Sequence, residues 1–229
     1  MAYPTREIRV PGVRQLCGHR MIDGKERTLT PMTELADLMV GGQVLRITRW
    51  GEPILHEQTR PVTQFDSEFH TLVRDMFATM TAADGVGLAA PQVGDDRSFF
   101  IFRCPDADDQ MYVGVVANPH IILPDGKNRQ LVSEEEGCLS LPGSYSPLAR
   151  PDHAICRGQD HNGKPIEIAG TGLLARCLQH ETDHLEGMVF GDRLSDRARK
   201  RLYADHEESA YRYPEDWPIS PKGEFDPTR

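Results

Sequence analysis

A chain of 229 residues with 38% apolar and 27% charged residues can bury one ordinary domain core, and its net charge of −9 argues against general nucleic-acid binding, which needs clustered Lys and Arg. No apolar run approaches the roughly 20 residues that span a bilayer, and the opening MAYPTREIRV lacks a secretory apolar core. Five scattered cysteines with no CxxC pair do not read as a disulfide framework, so the expectation is a cytoplasmic protein with free thiols.

Residues 1–43 are polar with little periodicity and read as a partly ordered extension, within which 30–39 is compatible with a short helix. A single compact domain is expected over 44–212, opening near VLRITRW (44–50). Phe69, Leu72, Val73, Met76, Phe77 and Met80 recur at offsets of three and four, which predicts an amphipathic helix over 67–80. Asp66 is its expected N-cap, and Gly85 lies just past its end. Strand signals follow at 97–102 (RSFFIF), 111–116 (MYVGVV) and 153–156 (HAIC), and Asn162-Gly163 signals a hairpin. Helical periodicity returns over 171–186 and stops at Gly187. A last helix is expected from about Ser195, as its cap, to about Tyr211. Residues 213–229, rich in proline from 214 onward, are expected to form a flexible tail.

The sharpest chemical signal is His180-Glu181-Thr182-Asp183-His184, an HExxH motif. Residues four apart on a helix share one face, so two imidazoles can reach one metal ion, with Glu181 beside them to hold a water. A metal there would lower the pKa of a coordinated water from about 15.7 toward roughly 7. Leu173, Cys177, His180 and His184 continue one stripe, so apolar groups precede ligands on that face, as a substrate with an apolar side chain would require. A catalytic site needs a third protein ligand. Phe190 stands where the long metzincin pattern would place a His; Glu207 and Glu208 are conceivable downstream, and an upstream ligand is favoured.

Two further segments bear on that ligand: Gly85-Val86-Gly87-Leu88-Ala89-Ala90-Pro91-Gln92 and Glu136-Gly137-Cys138-Leu139-Ser140. With QHETDHL (179–185) they resemble, in order and separation, the three signature motifs of the peptide deformylase family over residues 44–205. The resemblance implies that Cys138 joins His180 and His184 around one divalent metal, with Fe(II) native and Zn, Ni or Co accepted. It implies hydrolysis of the N-formyl group of formylmethionine at the start of new polypeptides. Glu181 would be the general base and acid, with the Gln92 amide and the Leu139 backbone N–H as oxyanion donors. Val86, Gly87 and Gly137 would meet the extended substrate backbone, and Val86, Leu173 and Cys177 would line the methionine pocket.

The implied fold class is α+β: antiparallel strands around a central metal-bearing helix, with an outer N-terminal helix and a C-terminal helix. Family members dock on the ribosome through the C-terminal region, where this chain carries Arg193, Arg197, Arg199, Lys200 and Arg201. The rival readings are an HExxH zinc metallopeptidase with a downstream ligand, and a structural metal module with four protein ligands.

Overall fold

A computed structural model describes residues 35–224 and 226. The expected helix at 30–39 lies partly outside them; within them only Leu35 and Ala36 are helical. None of the described helices is long and apolar enough to cross a membrane.

The architecture is α+β, with seven antiparallel strands and three α-helices among the described residues. Helix α1 spans Ser67–Ala82, α2 spans Gly172–Leu185 and α3 spans Asp196–Ser209. Strands β1 (Gly87–Ala89), β2 (Phe99–Pro105), β3 (Met111–Ile122), β6 (His153–Gln159) and β7 (Pro165–Thr171) form one sheet in the order β1-β2-β3-β6-β7. Strands β4 (Leu131–Cys138) and β5 (Leu141–Pro151) pair separately.

Alternation along β2 explains how the layers stack. Phe99 and Ile101 join the core beneath α1, with Phe69, Val73 and Met76. Phe100 and Phe102 face the other way, into the core of α2, with Leu174 and Leu178. Successive strand residues point to opposite faces, so one strand glues helices on both sides of the sheet. The metal-motif helix is thereby fully enclosed: every residue from Leu174 to Leu185 is buried.

Local signals set the helix ends. The Asp66 carboxylate accepts from the Phe69 N–H at 3.0 Å and caps α1. Gly187, at φ 76°, adopts the left-handed conformation that ends α2. The Ser195 hydroxyl accepts from the Ala198 N–H at 3.4 Å and caps α3, which gives way to a short 3₁₀ turn at Ala210–Arg212.

The expectation for the C-terminal tail needs correction, and the structure adds detail to three other segments. Past α1 the left-handed residue is Asp84, at φ 54°; Gly85 is small because a Cβ there would lie 2.7 Å from Leu139 Cδ1. The 85–92 motif contains β1, whose Gly87 and Ala89 pair with Phe102 and Phe100. The expected Asn162-Gly163 hairpin is present, with Gly163 at φ 77°. The Asp160 carboxylate accepts from the Asn162 and Lys164 N–H groups at 2.8 and 2.9 Å, and the Asp160 N–H donates to the Lys164 carbonyl at 2.8 Å, next to the Gln159 and Pro165 pair. Part of the tail expected to be flexible is packed: Trp217 is 5% exposed in the α1 core, and its carbonyl accepts from the Ile47 N–H at 3.1 Å.

Candidate metal centre

His180 and His184 stand one turn apart on α2, with ring centroids 4.9 Å apart. Strand β4 ends at a register shift between Gly137 and Cys138, which turns the Cys138 Sγ toward α2, 3.2 Å from His184 Nε2. The ligand atoms of Cys138, His180 and His184 lie within 4.8 Å of one another, and all three residues are buried. Among the described residues this is the one cluster of three or more such groups, and no fourth ligand belongs to it. Phe190 is a core residue packed with Leu141 and Leu202, and Glu207 and Glu208 are exposed on α3.

The His180 Nδ1–H donates to Glu136 Oε1 at 2.7 Å, which leaves Nε2 for the centre. Glu136 is held in turn by Arg150 at 2.6 Å and Arg176 at 2.8 Å. Arg150 also reaches Asp183 at 3.0 Å, and Arg193 pairs with the same carboxylate. Sequence reading missed this buried network. The Glu-rich stretch 134–136 resembles a solvated strand face; the available signal was that Glu136 opens the Glu136–Ser140 motif.

Gln92 is fixed at both ends of its amide. Its Oε1 accepts from the Ala89 N–H at 2.9 Å, and its Nε2 lies 3.4 Å from Cys138 Sγ and 3.3 Å from Ser140 Oγ. Glu181 is buried against Gly87: a Cβ on Gly87 would collide with Glu181 Oε1 and lie 2.7 Å from Cys177 Sγ. Glu181 Oε2 has no hydrogen-bond partner among the described residues.

The electrostatics fit a dication. Burial opposes ionisation of Cys138, yet the neighbouring His184 and His180 outweigh it and hold the thiol well below its usual 9.0. Burial would lower His180, but Cys138 and Glu136 prevail and push it up to about 10. A site that draws positive charge onto a buried imidazole also stabilises a cation among its ligands, and a thiolate with two imidazoles suits Fe or Zn. Burial is the main influence on Glu181 and raises its pKa, against the lowering effect of His180 and His184. A raised carboxyl is suited to carrying a proton near neutral pH.

Cys177 and Val86 also meet here, with the Cys177 thiol donating to the Val86 carbonyl at 3.7 Å, and Leu173 packs partly buried against the same cluster. Gly137 adjoins Cys138, and a Cβ there would lie 2.6 Å from the Tyr145 ring, so ring packing alone already demands a glycine. The Leu139 side chain points into the α1 core, its backbone beside Cys138. Arg197, Lys200 and Arg201 are exposed on α3, which packs onto β5.

Fold and site together fit the class of metal-dependent hydrolases: Cys138, His180 and His184 could hold an ion beside a buried carboxylate and a fixed carboxamide. The family model for polypeptide deformylase matches residues 44–200. Peptide deformylase 1 of Streptomyces avermitilis is 49% identical over 168 residues, covering 73% of this chain and 78% of that protein. The crystal structure of a peptide deformylase from Legionella pneumophila superposes with a TM-score of 0.64 at 38% identity, covering 72% of this chain and 94% of that one. A peptide deformylase from Synechococcus elongatus in complex with actinonin gives a TM-score of 0.64 at 36% identity, covering 71% and 86%. This chain belongs to the polypeptide deformylase family.

Proposed function

We propose that this protein hydrolyses the N-formyl group from the formylmethionine that begins newly made polypeptides, releasing formate. The observation that carries the reading is the convergence of Cys138, His180 and His184 within 4.8 Å, on a chain whose family membership is shown. Those three residues would hold the divalent ion. When bound, the ion acts as a Lewis acid toward water and the formyl oxygen.

The chain's own groups do the rest. Glu181, with its unpartnered Oε2, takes a proton from the attacking water and returns it to the leaving amine. The Gln92 Nε2, aimed at the site by the Ala89 contact, donates to the developing oxyanion, together with the Leu139 backbone N–H. Strand β1 is the edge of its sheet, and Gly137 lies near the end of β4. An extended substrate backbone adds as a strand along Val86-Gly87 and passes Gly137, and its methionine side chain enters beside Val86, Leu173 and Cys177.

In this reading the resident ion is Fe(II), with Zn, Ni or Co as substitutes, and the protein works in the cytoplasm on nascent chains. Arg197, Arg199, Lys200 and Arg201 provide a ribosome contact. Arg199 is paired with Asp196 at 2.6 Å and Arg201 with Asp205 at 3.8 Å, so Arg197 and Lys200 carry most of the available charge. Salt-sensitive co-sedimentation with ribosomes, lost on reversing those two charges, is expected; unchanged binding contradicts the contact.

The test of the activity is formate release from formyl-Met-Ala-Ser by protein purified without oxygen. Wild type is expected to release formate and Glu181→Ala to lose nearly all of it. Undiminished release by the variant contradicts the role of Glu181, and no release by wild type contradicts the activity.

A further inference from the structure

A cleft of about 250 Å³ runs away from Cys138 and Leu139, and part of its wall comes from residues beyond the family match, which ends at 200. Pockets that enclose a whole small ligand span roughly 300–1,000 Å³. This smaller, open-ended space suits one or two side chains of a longer chain. Leu139, Tyr145, Asp84 at the end of α1, and Tyr213, Trp217 and Lys222 are among the residues that line it.

The C-terminal part of the lining is built into the domain. The Trp217 carbonyl accepts from the Ile47 N–H at 3.1 Å, the Pro214 carbonyl accepts from Arg49 Nη2 at 2.8 Å, and the Arg49 guanidinium lies 5.2 Å from the Trp217 ring centroid. The same short stretch of backbone continues into the site. The Thr48 N–H donates to the Gln92 carbonyl and the Trp50 N–H to the Ser140 carbonyl, both at 2.9 Å. Residues 47–50 therefore tie the C-terminal segment to both loops that flank the metal ligands.

We propose that residues 213–222 form the binding subsite for the side chains that follow formylmethionine in the substrate. The inference rests on the deformylase reading. An apolar or aromatic side chain packs against Tyr213 and Ile219; Ile219 lines the cleft and is 55% exposed, an apolar surface available for burial. Lys222 belongs to this segment and Asp84 to the end of α1, both exposed in the lining, so a side chain seated against 213–222 meets the ammonium and is favoured when acidic.

The test compares kcat/KM of the full-length, metal-loaded protein on formyl-Met-Ala amide, formyl-Met-Ala-Phe-Glu amide and formyl-Met-Ala-Phe-Lys amide. Wild type is expected to prefer the Glu peptide over the Lys peptide by about two- to fivefold, the range of an exposed charge pair. Lys222→Glu inverts that order, which a merely structural defect cannot do. Ile219→Glu lowers both longer peptides about fivefold relative to the dipeptide amide. Equal ranking of the three peptides by wild type, or a uniform loss on all three in both variants, overturns the inference while leaving the activity intact. Wild type that releases formate from none of them overturns the deformylase reading and this inference with it.

Discussion

The Nδ1–H of His180 donates to Glu136 across 2.7 Å, and Glu136 is clamped between Arg150 and Arg176. A metal-ligating imidazole oriented by a carboxylate gains basicity, and removing such a partner typically costs 10- to 100-fold in metal affinity. Glu136→Gln keeps the shape but strips the charge that two buried guanidiniums share. Leaving buried charges uncompensated costs roughly 3–5 kcal/mol. Chelator competition is expected to show the affinity loss, and urea denaturation the stability loss.

Gly87→Ala should disable the reaction without emptying the centre. The new methyl would collide with Glu181 Oε1, and its three nearest atoms belong to Glu181 and Cys177 rather than to His180 or His184. A displacement of about 1 Å in a catalytic group can cost on the order of 100-fold. The expected outcome is a drop of that size in kcat/KM with metal content retained.

Gln92→Ala removes a donor whose position the Ala89 contact fixes. Loss of one oxyanion donor costs about 10²–10³ in kcat. Because the donor acts on charge that develops in the transition state, KM should move far less than kcat. Steady-state kinetics on formyl-Met-Ala-Ser separates the two.

His206 gives a pH signature. It is half-buried, and burial lowers its pKa below 6.5, although the Pro142 carbonyl accepts its Nδ1–H at 3.2 Å. With a depressed folded-state pKa, the unfolded chain binds the proton more readily. Stability from this group is therefore present above about 6.5 and lost as pH falls through that value. His206→Gln should flatten that part of the stability profile between pH 7 and 5, measured by denaturant midpoints. A profile identical to wild type contradicts the assignment.

The metal-bearing helix was legible because its information is local: HExxH spacing, one apolar stripe and Gly187 as its stop. The Cys138 partnership was legible only through three motifs taken together, since nothing within residues 131–138 announces that β4 ends beside α2. The Glu136–Arg150–Arg176 network was illegible because charged residues on a strand read as solvent-facing until a partner 14 or 40 positions away is known. Trp217 failed for the same reason. Among prolines it reads as coil, and its burial depends on Ile47 and Arg49, about 170 residues upstream. Gly85 falls just past the helix end as expected, and the reason for a glycine there, the nearby Leu139 side chain, lies 54 positions downstream.

The most direct test is the metal content of Cys138→Ala beside wild type, both purified without oxygen. Wild type is expected to hold about one divalent ion per chain, and the variant to lose it while circular dichroism stays native, because a three-ligand centre does not survive the loss of its thiolate. A folded variant that keeps its full complement of metal would contradict the claim that strand β4 and helix α2 converge on one ion.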